Sequence, residues 1–399
     1  MQGTQRIYLD NSAATAVDSR VLEAMEPYWN ADFGNAGGLH TEGRIASETL
    51  ANAHASLARS IDAHPDEIVF TSGGTESNNM AVLGAVRALL RDGTKAEEIH
   101  VITTAVEHSS ITDCFHILER DGVSVTYLQV DEDGFVKKQE LQDALRPETV
   151  LASFIYVNNE IGTIEHIKEL TSLVHKQNSN HGVEYPLVHT DASQAPAWLH
   201  VNTQSLGIDL LTLDSQKLYG PKGVGCLYVR DKTLLEPIVY GGGQEFGLRP
   251  GTVPIPHVVG FAKALELVEE ERDSYVLGIA AIRNRFIDRL AEEMPEAMIN
   301  GPLGDERTAG NINVSFFDVD GDQLVIELDE KGIAASTASA CDVTREGGSR
   351  VVQALGKYTD RKVGTVRFSM GRHTTQEEMD TVFTALKKTV TWLQNNAKA

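Results

Sequence analysis

Cysteine is scarce in this sequence. The chain of 399 residues contains 3 cysteines, which stand far apart at Cys114, Cys226 and Cys341. They are too few and too scattered for a disulfide framework or a Cys-x-x-Cys metal site. The scarcity argues against a secreted, disulfide-rich protein and against a metal centre, and it favours a reducing, cytoplasmic compartment.

Long hydrophobic runs and an excess of basic residues are also missing. No apolar run approaches the roughly 18 residues of a membrane-spanning helix, and the first residues, MQGTQRIYLDNSAAT, do not resemble a signal peptide. The 57 Asp and Glu residues outnumber the 35 Lys and Arg residues, which gives a formal net charge of −22. We therefore expect no membrane association and no direct nucleic-acid binding through a basic surface, although a basic partner protein is not excluded.

The length and the alternation of elements predict an α/β architecture. A chain of 399 residues exceeds the roughly 250–300 residues of a single core. Apolar strand-like runs alternate with helical patterns, which predicts a mostly parallel central sheet with helices on both faces and a smaller α/β domain. We assign residues 15–258 to the large domain, and residues 1–14 and 259–399 to the small domain, with separate helices at 259–271 and 275–294.

One lysine stands at a predicted strand end. The apolar run 208–213 leads into a polar turn that carries Lys217, followed by glycines and Pro221 before the next apolar run. A lysine held beside buried strands loses hydration, which lowers its pKa and makes its amine a nucleophile for an aldehyde such as pyridoxal phosphate. Asp191, after the preceding strand, is the candidate partner for the pyridine nitrogen of that cofactor. Taken alone, however, Lys217 is more typical of a solvated turn.

A glycine turn between a strand and a helix is a candidate anion site. Residues 67–71 are predicted to form the strand, 72–77 the turn Ser-Gly-Gly-Thr-Glu-Ser, and 78–90 the helix. The free backbone N–H groups and the positive dipole at a helix start favour an anion such as a phosphate. Thr75 adds a hydroxyl beside Gly74. Because a Gly-Gly pair is a weak motif, an ordinary strand-to-helix turn is the competing interpretation.

Polar side chains follow several of the predicted strands. They are Thr75, His108, Asn159, Asp191 with Gln194, and Lys217. Ligands of an open parallel sheet bind at the carboxyl ends of its strands. Singly, His108 is typical of a capping histidine, and Asn159 of turn chemistry. Together, these strand ends predict one ligand site.

A series of stretches along the chain carries a family resemblance. In order, they are YLDNSAAT, FGNAGGLH, EIVFTSGGTESNN, VEHSSI, YVNNEIGTI, HTDASQAP, SQKLYGPKGVGCLYVR, GGGQEFGLRPGT, STASAC and VRFSMGRHTT. Over nearly the whole chain, they resemble the NifS/IscS-like cysteine desulfurases of the class V aminotransferase group. The resemblance implies a fold-type-I, pyridoxal-phosphate-dependent transferase that forms a homodimer. Such an enzyme removes sulfur from L-cysteine and leaves L-alanine and an enzyme-bound persulfide.

The resemblance assigns the residues around the cofactor ring. Lys217 resembles the lysine that bonds to the cofactor, and Asp191 resembles the partner of the ring nitrogen. Gln194 resembles the donor to the phenolic oxygen of the ring, and His108 the imidazole that stacks on the ring face. The amine of Lys217 and the imidazole of His108 are both candidates for removing the α-proton of the substrate.

At the phosphate end, the chain follows the family pattern in part. Gly74 and Thr75 resemble the phosphate cradle, and Thr252 resembles the threonine that reaches the phosphate bound in the neighbouring subunit. Gln216 and Asp214 stand where the family has a histidine and a serine. Gln216 keeps a neutral hydrogen-bond donor for the cofactor, whereas Asp214 is expected to repel a phosphate unless its side chain turns away.

Two arginines compete for the role of substrate binder. Asn159 and Arg367 resemble the residues that hold the substrate, and Arg367 does so through a bidentate pair with the substrate carboxylate. Arg372 is the other candidate for that pair. The competing interpretation of Arg372 is a surface cation before the helix that starts near Thr375.

The sulfur acceptor implied by the resemblance is Cys341. Its flanks, residues 336–349, are short and polar with two adjacent glycines, which predicts an exposed loop. The neighbouring Asp342 departs from the family pattern and is expected to raise the pKa of the thiol and weaken it as a nucleophile. Cys114 and Cys226 lie in apolar helix and strand patterns, so we predict that both are buried structural cysteines.

The residues leave three functions in competition. A cysteine desulfurase, which we favour, requires Cys341. Another class V pyridoxal-phosphate enzyme, such as an aminotransferase or a selenocysteine lyase, needs Lys217 but not Cys341. A weakly active scaffold keeps the fold to bind a sulfur-carrier partner, an alternative motivated by Asp342 and Gln216. The sequence does not reveal the sulfur acceptor, or whether iron–sulfur cluster assembly, tRNA thiolation or another pathway is served.

Overall fold

The computed structural model describes residues 6–177, 186–337, 349–358 and 363–396, so Cys341 and Asp342 lie outside the described residues. The strands are β1 (Ile7–Tyr8), β2 (Ile68–Thr71), β3 (His100–Thr104), β4 (Ser124–Leu128), β5 (Thr149–Ile155), β6 (Leu187–Asp191), β7 (Leu210–Asp214), β8 (Gly225–Val229), β9 (Met298–Ile299), β10 (Asn311–Phe317), β11 (Ile333–Ala334) and β12 (Val363–Ser369). The helices are α1 (Ser19–Met25), α2 (Pro27–Asn30), α3 (Thr41–Ser60), α4 (Gly74–Arg91), α5 (Ser109–Arg120), α6 (Lys138–Ala144), α7 (Ile167–Val174), α8 (Thr203–Leu206), α9 (Ile255–Glu293), α10 (Gly321–Asp329), α11 (Arg350–Ala354) and α12 (Gln376–Asn396).

The large sheet has the strand order β2-β8-β7-β6-β5-β3-β4. Strands β3 to β7 pair with one another in parallel. Strand β8 is antiparallel to its neighbours β2 and β7. The predicted mostly parallel central sheet is therefore confirmed, and its parallel strands end at one common edge.

Helices pack on both faces of this sheet because successive side chains of a strand point to opposite faces. On β7, Leu211 belongs to a core cluster that includes Phe261 of α9. The preceding residue, Leu210, belongs to the cluster on the other face, which includes Phe115 of α5. The two helical layers predicted from the sequence are thus both present.

A further core surrounds the smaller sheet, whose strand order is β12-β10-β9. Strands β10 and β12 pair in antiparallel fashion along their whole length. Phe316 of β10 and Phe368 of β12 are fully buried, and they share this core with Phe286 of α9 and Phe383 of α12. The chain therefore has a second, smaller α/β unit beside the large sheet.

Helix α9 runs through both cores, with Phe261 in the core of the large sheet and Phe286 in that of the small sheet. The prediction of two separate helices at 259–271 and 275–294 is therefore wrong. Arg272 lies where the break between the two helices was expected. Its buried side chain donates to the carbonyls of Pro196 and Leu199 and pairs with Glu269, one helical turn earlier. The domain boundary at 258 stays a prediction. Within the described ranges, neither α9 nor another helix is apolar enough over sufficient length to cross a membrane.

The turns at the strand ends bring the start of α4 beside the large sheet. Strands β6 and β7 end at Asp191 and Asp214, and α4 begins at Gly74. Gly225 pairs with Asp214 across the sheet, and a Cβ atom at Gly225 would lie only 2.7 Å from the carbonyl carbon of Gly73. Gly73 itself has a φ of +149°, which favours glycine. Glycine at these places therefore permits the close approach of the turn to the strands.

Candidate active site

A cavity of about 280 Å³ lies at the carboxyl ends of the parallel strands. Its lining includes the predicted site residues Gly74, Thr75, His108, Asn159, Asp191, Gln194, Gln216, Lys217 and Arg367. These residues are far apart in sequence, and the common edge of the sheet brings them together. The structure thus gathers most of the predicted set around one space.

Lys217 ends a single turn of 3₁₀-helix, Ser215–Lys217, that directly follows β7. Its Nζ atom donates to the carbonyl oxygens of Ser12 and Ala13, at 2.7 and 2.6 Å. The side-chain amide of Gln194 donates to the same Ser12 carbonyl at 2.9 Å. The segment between β1 and α1 therefore forms one wall of the cavity and positions the amine on it.

Asp191 is held by three donors at the end of β6. Its Oδ2 atom accepts from the side-chain amide of Asn78 at 2.8 Å. Its Oδ1 atom accepts from the backbone N–H and the hydroxyl of Ser193, at 3.0 and 2.7 Å. Because both oxygens are engaged and the residue is buried, the carboxylate has a fixed orientation at the cavity.

His108 is the N-cap residue of α5, so the alternative prediction of a capping histidine is confirmed. It also lines the cavity. Its Nδ1 atom accepts from the backbone N–H of Ser110 at 3.2 Å and lies 2.8 Å from the Ser110 hydroxyl. The neutral ring therefore carries its proton on Nε2. Burial lowers the pKa of His108, while the negative charge of Asp191 opposes that shift. A neutral imidazole is thus favoured at this position.

The side-chain amide of Asn78 connects the two groups just described. It donates to Oδ2 of Asp191 and to the hydroxyl of Ser110, each at 2.8 Å. The Ser110 hydroxyl in turn contacts His108. A single buried asparagine on α4 therefore positions both the carboxylate and, through a serine, the imidazole.

The N-terminus of α4 also lines the cavity. Gly74 and Thr75 both line it, and the side chain of Thr75 is exposed. A Cβ atom at Gly74 would lie 3.1 Å from the Ser193 hydroxyl and 3.3 Å from Cβ of Asp214. Glycine therefore leaves the backbone N–H groups of the first turn accessible at a crowded position.

Asp214 is not turned away from this end of the cavity. Its carboxylate lines the cavity, and its Oδ2 atom would lie 3.4 Å from a Cβ atom built on Gly74. Oδ2 accepts from the side-chain amide of Gln216 at 3.0 Å. Asp214 is therefore placed where it would repel a phosphate, as expected for a side chain that does not turn away.

The two candidate arginines occupy different environments. Arg367 lines the cavity and is buried, donating to the Asn159 carbonyl at 3.1 Å and to Asp10 at 2.7 Å. Its Nε atom has no hydrogen-bond partner among the described residues.

Arg372, by contrast, does not line this cavity. It pairs with Asp18 and Glu271, and its guanidinium lies 4.1 Å from the centre of the Tyr219 ring. These partners hold the guanidinium group of Arg372 outside the cavity. The geometry therefore favours Arg367 as the arginine that faces a ligand.

Some predicted residues lie elsewhere. Thr252 is exposed and does not line the cavity of its own chain. Cys341 lies outside the described residues. Cys114 and Cys226 are both buried, as predicted, and burial raises the pKa of each thiol, that of Cys114 to about 12.

Several side chains at the site were not found from the sequence, among them Asn78, Asp10 and Glu107. Asn78 left one signal, since two adjacent asparagines are unusual inside a helix. Asp10, the partner of Arg367, left none. Glu107 precedes His108 and lines the cavity, and burial raises its pKa to about 8. Only the tertiary structure shows that this carboxyl group is buried.

Comparisons with known proteins identify relatives along nearly the whole chain. The family model described as Aminotransferase class-V matches residues 7–382. A protein named cysteine desulfurase IscS, from Dictyoglomus turgidum, is 38% identical over 387 residues, which are 97% of this chain and 95% of that protein.

Solved structures share the fold. A NifS-like protein superposes with a TM-score of 0.88 at 32% identity, covering 97% of this chain and 100% of the other. A structure titled SspA in complex with cysteine superposes with a TM-score of 0.75 at 32% identity, covering 92% of this chain and 100% of the other. The structural similarity therefore extends over both α/β units.

Proposed function

This chain belongs to the class-V aminotransferase family, and from that membership we propose that it is a pyridoxal-phosphate-dependent cysteine desulfurase, which converts L-cysteine to L-alanine. The observation that carries the proposal is the single cavity where a lysine amine, a buried aspartate and a glycine turn at a helix start meet. Relatives named cysteine desulfurase, similar over nearly the whole chain, support the choice of reaction. A similar protein in complex with cysteine supports the choice of substrate.

The residues of the cavity fit pyridoxal phosphate. Lys217 provides an amine for the aldehyde, and the fixed carboxylate of Asp191 provides a partner for a protonated ring nitrogen. Neutral His108 suits a stacking position on the ring, and Gln194 provides a donor for the phenolic oxygen. Gly74 and Thr75 at the start of α4, with Gln216, would hold the phosphate. When bound, this cofactor supplies an electron sink that stabilises negative charge at the substrate Cα atom.

Of the two candidates for removing the α-proton, we favour Lys217 over His108. The Nδ1 lone pair of His108 already accepts the backbone N–H of Ser110. The amine of Lys217, in its neutral form, is therefore the better base, and it lies on the cavity wall beside Ser12. We assign proton transfer at Cα to Lys217 and ring orientation to His108.

Arg367 and Asn159 are proposed to hold the substrate. The Asn159 carbonyl and Asp10 orient the guanidinium of Arg367, and its Nε–H lacks a partner among the described residues. A carboxylate of L-cysteine would accept from that donor and from one terminal N–H in a bidentate pair. The α-carbon and its thiol are then fixed relative to Lys217.

Cys341 is proposed to accept the sulfur. Its thiolate would attack the sulfur atom of the substrate, the substrate carbon–sulfur bond would break with its electron pair left on carbon, and a proton would complete alanine. The other cysteines support this assignment, because Cys114 and Cys226 are buried and their thiols have raised pKa values. The persulfide would then pass to a sulfur-acceptor or scaffold protein, in the cytoplasm.

A homodimer is proposed as the working form. Large apolar side chains are exposed along the glycine-rich segment that leads to Thr252, where Tyr240 is 72% exposed and Phe246 58%. Large apolar side chains exposed close together in sequence are typical of an interface between protein chains. Thr252, exposed on the same segment, would then reach the phosphate bound by the partner.

The test is an assay of purified protein with L-cysteine, in which alanine and sulfide are both measured. Wild type is compared with Cys341→Ser and with the matched control Cys114→Ser, after the visible absorption of bound pyridoxal phosphate has been recorded for each. We expect all three to bind cofactor, and Cys341→Ser alone to lose both products.

The other outcomes distinguish the alternatives. Alanine and sulfide formation by Cys341→Ser at the wild-type rate would contradict the role of Cys341 and favour another class V reaction. Wild-type protein that binds no cofactor, or binds it and forms neither product, would favour a scaffold.

A further inference from the structure

A carboxylate lies at the phosphate end of the cavity. Asp214 is only 7% exposed, and its Cβ and Oδ2 atoms would lie 3.3 and 3.4 Å from a Cβ atom on Gly74, the first residue of α4. Strand pairing with Gly225, which itself packs against Gly73, fixes the backbone of Asp214 at this place. The carboxylate therefore faces the N-terminus of an 18-residue helix.

The side-chain donor to this carboxylate is neutral. Gln216 donates its side-chain amide to Oδ2 at 3.0 Å, and its backbone N–H approaches Oδ1 at 3.4 Å. A second acidic residue, Glu76, lies in the first turn of α4, where Arg249 pairs with it at 3.1 Å. The acidic groups at this helix end therefore engage Gln216 and Arg249, two side-chain donors that a phosphate could otherwise use.

We propose that Asp214 and Gln216 form a built-in carboxylate–amide pair that competes with the cofactor phosphate for the start of α4. This proposal rests on the proposed function, because it concerns the same cofactor. The carboxylate of Asp214 lies close to the first residue of α4, and a helix N-terminus favours an anion. A phosphate bound there would compete with Asp214 for the two amide N–H groups of Gln216, and it would place two anions close together in a site of low dielectric.

The consequence is a chain that recognises the aldehyde half of the cofactor better than its phosphate half. Lys217 and Asp191 would bind the aldehyde and the ring, and neither contact uses the N–H groups at the start of α4. Pyridoxal, which lacks the phosphate, avoids the repulsion. The ratio of the pyridoxal dissociation constant to that of pyridoxal phosphate therefore measures the proposed competition directly.

The experiment determines both dissociation constants on full-length, cofactor-depleted protein by visible absorption. The proteins are wild type, Asp214→Asn, Asp214→Ser and the surface control Asp92→Asn. Removing the charge should tighten binding of pyridoxal phosphate by about tenfold or more and change that of pyridoxal by less than about twofold. Inorganic phosphate should also compete more strongly against pyridoxal phosphate in the Asp214 variants.

A second variant keeps the carboxylate and removes its donor. In Gln216→Leu, the phosphate loses a neutral hydrogen-bond donor and still lies beside Asp214. The preference for pyridoxal phosphate, measured as the ratio of the pyridoxal dissociation constant to that of pyridoxal phosphate, should therefore fall below that of wild type. This variant gives an answer even where the Asp214 variants do not fold.

An unchanged or lowered preference in both Asp214 variants would overturn the proposal, as would an increased preference in Gln216→Leu. If wild type binds neither pyridoxal nor pyridoxal phosphate, the proposed function fails instead. The two failures are thus distinguishable.

Discussion

Asp191 and Asp214 form a closely matched pair at the cavity. They end the neighbouring parallel strands β6 and β7, they are 6% and 7% exposed, and both line the same space. Asp191 accepts three hydrogen bonds of 2.7 to 3.0 Å, from Asn78 and from two groups of Ser193. Asp214 accepts one bond of ordinary length and one long one, both from Gln216.

The difference shows that burial alone does not decide what a carboxylate does. Asp191 is held in one orientation by donors from α4 and from the turn after β6, and in the proposed function it meets a cationic ring nitrogen. Asp214 faces the start of α4, where in the proposed function it meets a phosphate. The same side chain would therefore favour one end of the cofactor and oppose the other.

The strongest test of this comparison is Asp191→Asn beside Asp214→Asn. We expect Asp191→Asn to lower the rate of alanine formation by about a hundredfold or more, because a neutral amide cannot hold the ring nitrogen protonated. At saturating cofactor, Asp214→Asn should retain a rate within about threefold of wild type. Steady-state kinetics with L-cysteine gives both rates, and circular dichroism checks the fold. Equal losses in the two variants would remove the distinction between the aspartates.

A smaller effect on the catalytic rate is expected from Asn78→Ala, which tests how much the hydrogen-bond donors of Asp191 contribute. The substitution removes the amide shared by Asp191 and Ser110, so the carboxylate and the imidazole both lose orientation. Loss of one such hydrogen bond should lower the catalytic rate by about tenfold. The matched control is Asn395→Ala on the exposed face of α12. A rate equal to that of the control would show that Ser193 alone is sufficient to position Asp191.

The smallest expected effect is on the pH dependence of stability, and it concerns Glu107, a third buried carboxyl group at the cavity. Burial raises its pKa from 4.5 to about 8, so between these values the folded chain holds a proton that the unfolded chain has lost. The free energy of unfolding should therefore fall as the pH rises through that window. Glu107→Gln removes this titration, and its melting temperature should decline less than that of wild type between about pH 5 and about pH 8.

The control for this measurement is Glu23→Gln, because Glu23 is exposed on α1. It should follow the wild-type decline. If Glu107→Gln declines in parallel with both proteins, Glu107 would not be the group that carries the pH dependence.

The sequence was sufficient for much of the fold and of the site. Alternating strands and helices predicted the parallel sheet, and the ends of the apolar runs indicated Asp191 at the end of β6, Lys217 after β7 and His108 after β3. These signals are local, since they depend on side-chain periodicity and on residues that terminate strands or start helices. The prediction failed at α9, where Arg272 finds its partners in the turn after β6 and no local signal indicates that it is buried.

By itself, the sequence determined which chemical groups stand at the strand ends, because the residue type and its place after an apolar run are both local properties. Tertiary structure alone decided that Arg367 rather than Arg372 lines the cavity, that Asn78 serves two partners, and that Asp214 faces the start of α4. Each of these relations joins segments remote in sequence. Their distances depend on how strands, turns and helices pack against one another, and a charge or a hydrogen bond acts only over such distances.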